Sequence, residues 1–237
     1  MKILHLYHDM MNLYGEYANL LILERCLRDL GQEVEIHTLS MGEIKDISGY
    51  NLYFMGAGTE RKQKLALEAL QPYGEALKKA FEAGKVFLFT GNSFELLGTS
   101  LQDAQGKTYP CLGMFPFVTT EGDRRIVGDA LGACELFAEP VVGFMNKCSK
   151  TVGVEKPLFT LKMGFGNEAT CSGEGVLEKN FFGTHLTGPI LMKNPAMLRE
   201  ILSRLMGRAV ESVNVPYLQQ AYETTSKALQ NRLEGTK

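Results

Sequence analysis

Long apolar runs, an excess of charge of either sign and paired cysteines are all missing from this chain of 237 residues. No run approaches the roughly 20 apolar residues that span a bilayer, so no membrane-spanning helix is expected. The opening Met1-Lys2-Ile3-Leu4-His5-Leu6 is too short for a signal peptide with its basic start, apolar stretch and cleavage site. Together these point to a soluble, cytoplasmic protein. Lys and Arg number 25 against 27 Asp and Glu, and no segment gathers them into a basic stripe, which removes the electrostatic footprint of a nucleic-acid binder. The five cysteines (Cys26, Cys111, Cys134, Cys148, Cys171) are odd in number and never spaced as C-x-x-C. That pattern signals neither a disulfide framework nor a metal site, and reduced, structural thiols are the reading. His5, His8 and His37 lie on or beside strands without metal-ligand spacing and read as structural too.

What the chain has is the 45% apolar, 22% charged composition of a globular protein with a sizeable core. Lys2 to Tyr7 reads as a buried strand, and Leu20 to Leu30 gives an apolar face at helical spacing that Gly31 closes. Glu33 to Leu39 alternates with period two, Asn51 to Met55 is a short apolar run ending in Gly56-Ala57-Gly58, and Ala66 to Ala83 reads as one long helix. The continuous run Val86 to Phe89 suits a central parallel strand covered on both faces. The order predicts an α/β fold with a mostly parallel sheet and helices on both faces. Beyond Gly98, shorter apolar runs between turn residues suit a mixed or antiparallel edge to that sheet. A helix with proline in its first turn runs from Pro195 to Gly207. We divide the chain into a domain over residues 1–207 and a helical tail over 208–237.

In open parallel sheets chemistry collects at the carboxyl ends of strands, and Thr90-Gly91-Asn92-Ser93-Phe94-Glu95-Leu96-Leu97-Gly98 leaves the central strand for a helix with almost no loop. It has the form of a nucleophile elbow, where the attacking residue projects above the sheet beside helix-start N–H groups. An ordinary strand-to-helix turn would have the same residues.

At this point the chain resembles a known family over roughly residues 1–205. Asn12-Leu13-Tyr14-Gly15-Glu16 with Asn19 is similar to the N-L-Y-G-D-x-x-N segment of the class I glutamine amidotransferase-like subunit of lipid II isoglutaminyl synthase, a relative of cobyric acid synthase amidotransferase domains. Gly56-x-Gly58 with Glu60, Arg61 and Gln63 resembles its G-G-G-x-D-x-E-Q turn, and Leu112-Gly113 and Arg124-Arg125-Ile126 resemble its G-L-G and R-R segments. Val142-Gly143-Phe144-x-Asn146 resembles its G-F-E-N-H element. Gly164-x-Gly166-Asn167, Glu174-Gly175-Val176, Phe182-Gly183-Thr184 and Gly188-Pro189-Ile190-Leu191 resemble its C-terminal signature. The resemblance implies a flavodoxin-like class I glutamine amidotransferase fold with no cofactor. Active members hydrolyse glutamine with a Cys nucleophile and a His base. They pass ammonia to a Mur-ligase-like, ATP-dependent synthetase subunit that amidates the D-Glu of the peptidoglycan stem peptide.

Both reagents are missing here. The family elbow I-C-G-G-Y-Q-x-L-G places the nucleophile at Gly91, and G-T-Y-x-H-G-P places the base at Thr187, a residue without useful basicity near pH 7. Nucleophile and base act as a unit, so their joint loss predicts an impaired glutaminase. Ser93 and His185 are the substitutes nearest in sequence, although each is displaced from the family position. On the substrate side, the resemblance gives Arg125 the task of holding the glutamine carboxylate, with Asn92 and Asn146 beside it. Lys147 stands where the family has His and Glu95 where it has Gln, exchanges that add charge near the pocket. The expected function is therefore an amidotransferase-like subunit beside a Mur-ligase-like synthetase, with a non-catalytic glutamine-binding or scaffold protein and a cobyric acid synthase-like amidotransferase as alternatives.

Overall fold

A computed structural model describes residues 1–235; Thr236 and Lys237, the last two residues of the expected tail, lie outside the described residues. The N-terminal half alternates strands and helices: β1 (Lys2–Leu6), α1 (Ala18–Asp29), β2 (Glu35–Leu39), β3 (Leu52–Met55), α2 (Glu60–Leu70), α3 (Gly74–Glu82) and β4 (Val86–Thr90). Between α2 and α3 the chain makes a short 3₁₀ turn, Gln71–Tyr73. The single long helix expected over 66–83 is thus two helices, because Pro72 lacks an N–H and its ring excludes the carbonyl one turn back. The first of them starts earlier than expected, at a cap in which Thr59 Oγ1 accepts from the Lys62 N–H.

Strands follow in the second half: β5 (Ser100–Gln102), β6 (Thr108–Pro110), β7 (Val118–Cys134), β8 (Phe137–Val152), β9 (Phe159–Met163), β10 (Gly173–Glu174), β11 (Val176–Glu178), β12 (Phe181–Thr184) and β13 (Leu186–Thr187). Helices α4 (Ile190–Lys193), α5 (Pro195–Met206) and α6 (Leu218–Gly235) close the chain. α5 has Pro195 at its first position and ends on Gly207 in the left-handed region at φ 63°, the Pro-start and Gly-stop asymmetry of a capped helix.

The first sheet has the order β11-β12-β4-β3-β1-β2, parallel except for β11 at the edge. Its central strands are apolar on both faces because both are covered. Ile3, Leu52, Phe54, Val86 and Leu88 pack with α1 and α5, whereas Leu4, Tyr53, Met55, Phe87 and Phe89 pack with α2 and α3. The β5–β10 segment and β13 do not widen this sheet as the shorter runs suggested. They form a second one, dominated by the long antiparallel β7–β8 ribbon, and only β11 and β12 return to the first. Period-two patterning specifies a strand but not which sheet it joins.

The two sheets meet where it matters. β13 leaves β12 and pairs with β8, so the carboxyl ends of β3, β4 and β12 face the middle of the β7–β8 ribbon. There the ribbon's register shifts between Glu121 and Ile126, a bulge of the kind that re-aims side chains beside sites. α6 lies against the ribbon's far part, where Tyr222 and Leu229 pack on Leu131 and Val142. No helix among the described residues is long and apolar enough to cross a membrane.

Candidate active site

β4 runs straight into a 3₁₀ helix, Gly91–Leu97, with no intervening loop. Gly91 has φ 62°, a left-handed backbone that a side chain disfavours and that an elbow requires. The shape of the elbow is present. Its space is not: a Cβ placed on Gly91 would fall onto the Ala57 methyl, 3.0 Å from Ala57 Cα and 3.3 Å from Thr187 Cγ2. Because the Ala57 methyl hangs directly on the turn after β3, no rotamer change relieves the overlap; the backbone of residues 56–58 has to move.

That turn is held in place. Asn92 Oδ1 accepts from the Gly58 N–H and Asn92 Nδ2 donates to the Gly58 carbonyl, both at 3.0 Å. Gln63 Nε2 donates to the Asn92 carbonyl at 2.6 Å. The Asn92 carboxamide thus uses up the Gly58 donor beside the elbow, so the side chain assigned from the sequence to substrate contact is spent on a loop-to-elbow staple. Thr187, at the base position, is buried and donates to the Phe144 carbonyl at 3.3 Å.

Ser93 and His185 are not brought together. Ser93 is fully buried, its hydroxyl 2.9 Å from the Met55 carbonyl and 2.8 Å from that of Thr90. His185 is buried between two carboxylates, Nε2 at 3.0 Å from Glu95 Oε1 and Nδ1 at 3.1 Å from Glu174 Oε1. Both ring nitrogens are thus engaged by carboxylates, and the Ser93 hydroxyl by the two carbonyls. Glu95 also receives Gln63 Nε2 at 2.7 Å and the Ser149 hydroxyl. Lys147, 4% exposed, places Nζ 2.7 Å from the Gly166 carbonyl and 3.3 Å from that of Asn167. Burial lowers the Lys147 pKa, while Glu174 and Glu95 oppose that shift. The two exchanges read as new pocket charges therefore belong to one buried polar set, Glu95, Glu174, Lys147 and His185.

A cavity of about 220 Å³ remains between the 57–63 turn, the elbow and the bulge of the ribbon, small against the 300–1,000 Å³ of drug-sized pockets. Arg125 and Asn146 both line it. Arg125 donates to Asn146 Oδ1 at 3.0 Å and to Glu60 Oε1 at 2.5 Å, and Asn146 Nδ2 donates to the Tyr14 hydroxyl at 2.9 Å. Glu60 is held below its ordinary pKa by these bonds even though burial pushes the other way. The proposed carboxylate binder already has a carboxylate.

Sequence reasoning named Glu16 and Glu60 only as parts of motifs and Cys148 only as a structural thiol, and gave none of them a role at the site. Cys148 lines the cavity with Sγ 3.2 Å from Glu60 Oε1; burial and that carboxylate push its thiol up to about 12, far from a reactive thiolate. Its period-two spacing from Asn146 on β8 was the available signal. Glu16 is fully buried and accepts from Thr90 Oγ1 (2.8 Å), Asn19 Nδ2 (3.0 Å) and the Gly188 N–H (2.9 Å). It joins the N-terminal segment to the residue before Gly91 and the residue after Thr187. Burial raises its pKa to about 7, with Thr90, Gly188, Lys193 and Asn19 opposing the shift. No group of three or more His, Cys, Asp or Glu among the described residues is placed to hold a metal ion.

Residues 2–195 match the CobB/CobQ-like glutamine amidotransferase domain. The chain is 31% identical over 227 residues to the lipid II isoglutaminyl synthase (glutamine-hydrolyzing) subunit GatD of Streptococcus pneumoniae, covering 94% of this chain and 86% of that protein. It is 29% identical to the Staphylococcus aureus subunit of the same name, over 92% and 87% of the two chains. Among solved structures, a glutamine amidotransferase from Thermotoga maritima superposes with a TM-score of 0.54 at 12% identity, covering 99% of this chain and 94% of the other. The glutaminase domain of Trypanosoma brucei CTPS superposes with 0.50 at 10% identity, over 89% and 95%; both likenesses speak to the fold. Sheet order, elbow and sequence agree, and the chain belongs to the CobB/CobQ-like glutamine amidotransferase family.

Proposed function

We propose that this chain is a glutamine amidotransferase-like subunit whose own glutamine-hydrolysing centre is closed, and that it works in the cytoplasm as the partner of a Mur-ligase-like, ATP-dependent synthetase. The observation that carries the reading is Gly91: the elbow keeps its left-handed backbone, yet the Ala57 methyl occupies the volume a nucleophile needs. Thr187 offers no base, and the buried bonds of Ser93 and His185 leave no substitute pair. The partner rests on the relatives, each of which is named as a subunit of a synthase. Residues 1–207 are assigned the amidotransferase-like unit and 208–237 an appended helical tail.

A second reading has its own observation. Arg125 and Asn146 still line a cavity, so the chain retains glutamine binding without turnover if glutamine's carboxylate displaces Glu60 from Arg125. The deciding experiment is ammonia release from glutamine by the purified chain, alone and with the Mur-ligase-like protein of its own host. The closed-centre reading expects background release in both samples and a stable complex in the second. Release above background overturns it, and failure to form the complex removes the partner.

A further inference from the structure

Behind the bulge of the β7–β8 ribbon lies a second, larger concavity of about 690 Å³, walled by the bulge itself, by β8 and by the loop that carries Phe165 and Asn167. Its volume falls in the range of sites for drug-sized molecules, about three times that of the elbow cavity. Four cations and two carboxylates line it, and most of them are already matched. Arg125 is taken by Glu60, Glu121 by Lys64, and Lys147 by the two carbonyls. Arg124 and Lys150 form no ion pair among the described residues, and only Asp123 stands against them in the concavity. The chain as a whole is acidic, at a formal −2, so two unmatched cations converging from neighbouring strands make a local exception.

The bulge explains how they come to face the same space. Pairing between β7 and β8 lapses from Glu121 to Ile126, which frees successive side chains from strict alternation. Arg125 turns to Glu60 and Asn146 at the elbow cavity, and Arg124 lines only the larger concavity. An apolar surface lies beside the cations: Val127 is 53% and Phe165 43% exposed, and both line the same space. A large exposed ring next to unpaired guanidinium and ammonium groups suits a ligand with a flat apolar part and a compact anionic part. Arg offers a planar fork and Lys a point charge for phosphate oxygens.

We infer that this concavity binds a phosphorylated small molecule of nucleotide size, with the phosphates on Arg124 and Lys150 and the ring against Phe165. The site is separate from the elbow, and its occupation does not depend on whether the elbow hydrolyses glutamine. The two nevertheless share Glu121, Arg125, Lys147, Cys148 and Ser149 as a common wall, so a ligand here lies directly behind the elbow cavity.

The test is isothermal titration of the full chain with ADP, with pyrophosphate and with adenosine, at low and at physiological salt. ADP should bind saturably and more tightly than either fragment, with affinity falling as salt rises. Arg124→Ser with Lys150→Ser should weaken ADP and pyrophosphate by at least about tenfold, the loss of charge-assisted contacts. Phe165→Ser should weaken ADP and leave pyrophosphate unchanged. Arg61→Ser, which removes an exposed cation outside the concavity, should change neither. These side chains lie at the surface, so folding is not in question. Absence of saturable ADP binding overturns the inference, as does binding that ignores Arg124 and Lys150. Pyrophosphate binding as tight as that of ADP removes the ring site and with it the nucleotide-sized ligand.

Discussion

Two buried groups with opposite pKa shifts should cancel each other's contribution to the pH dependence of stability over a window where either one alone would tilt it. His5, packed on Phe54 at the end of β1, is lowered to about 4 chiefly by burial and secondarily by His8, with Asp9 opposing. Between pH 6.5 and 4 the unfolded chain therefore binds a proton at His5 that the folded chain does not, and stability falls as pH falls. Glu16, raised to about 7 by burial, does the reverse. Between 4.5 and 7 the folded chain holds the extra proton, and stability falls as pH rises. Each effect is worth about 1.4 kcal/mol per pH unit. From pH 4.5 to 6.5 they cancel, and removing one exposes a slope that accumulates to about 3 kcal/mol, roughly 6–12 °C in Tm for a chain of this size. The assay is urea unfolding of the wild type, Glu16→Gln and His5→Phe across pH 4.5–7. Relative to wild type, Glu16→Gln should gain stability with rising pH and His5→Phe should lose it. Altered hydrogen bonds at residue 16 shift a whole curve without tilting it. A Glu16→Gln curve parallel to that of wild type would refute the assignment of Glu16.

Gly91→Cys alone should lower stability by about 2–4 kcal/mol, from the left-handed backbone and overpacking against Ala57, and should yield no glutaminase; adding Ala57→Gly should recover part of the loss, read by thermal unfolding. Glu174→Ala should cost about 3–5 kcal/mol because it leaves His185 and Lys147 buried with one carboxylate between them, whereas an effect below 1 kcal/mol would mean that the set is not charged. Cys148 should react with a thiol reagent far more slowly than the exposed Cys171 at pH 8, as a thiol pushed up to about 12 requires; equal rates in the single-cysteine variants would contradict it.

The first sheet was legible because its strands carry the signal of burial on both faces. Val86 to Phe89 and Leu52 to Met55 are short, wholly apolar runs of the kind covered strands carry, and glycines at 31 and 84 mark where intervening helices stop. The second sheet was hidden because β7 and β8 run through glycines, charges and a bulge, so alternation fades where the ribbon is exposed on one side. Pro72 should have divided the 66–83 helix, and apolar spacing on both sides of it masked the break. At the site, Gly91, Thr187 and Arg125 were found by their places in motifs, and their surroundings were not. Nothing in the order of residues tells that Asn92 reaches back to Gly58, or that His185 meets Glu95 and Glu174 from opposite sides. Those contacts join segments tens of residues apart, and only the closing of two sheets on each other creates them.

The residues around the elbow fit one another, and that fit is the argument for the proposed closed centre over a working one with a few chance losses. In the G-G-G turn that residues 56–58 resemble, the middle position has no side chain; here it is Ala57, and its methyl fills the space that a side chain at Gly91 would need. The Asn92 carboxamide then bonds both polar groups of Gly58, fixing the turn in the place that Ala57 needs. One layer deeper, Glu95, His185 and Lys147 stand where the family has Gln, Tyr and His. Taken singly each would bury an uncompensated charge at a cost of several kcal/mol. Together with Glu174 they form one buried polar set, His185 between the two Glu side chains and Lys147 on the Gly166 and Asn167 carbonyls. On the proposed closed centre, restoring Cys at 91 and His at 187 should not by itself restore the site, because Ala57 fills the space beside residue 91. The minimal set that reopens it is Gly91→Cys, Thr187→His, Ala57→Gly and Asn92→Gly. If that fourfold variant folds and releases ammonia from glutamine while Gly91→Cys with Thr187→His does not, the closure by Ala57 and Asn92 is the barrier. If the double variant is as active as the fourfold one, the turn yields easily and the elbow lacks only its reagents.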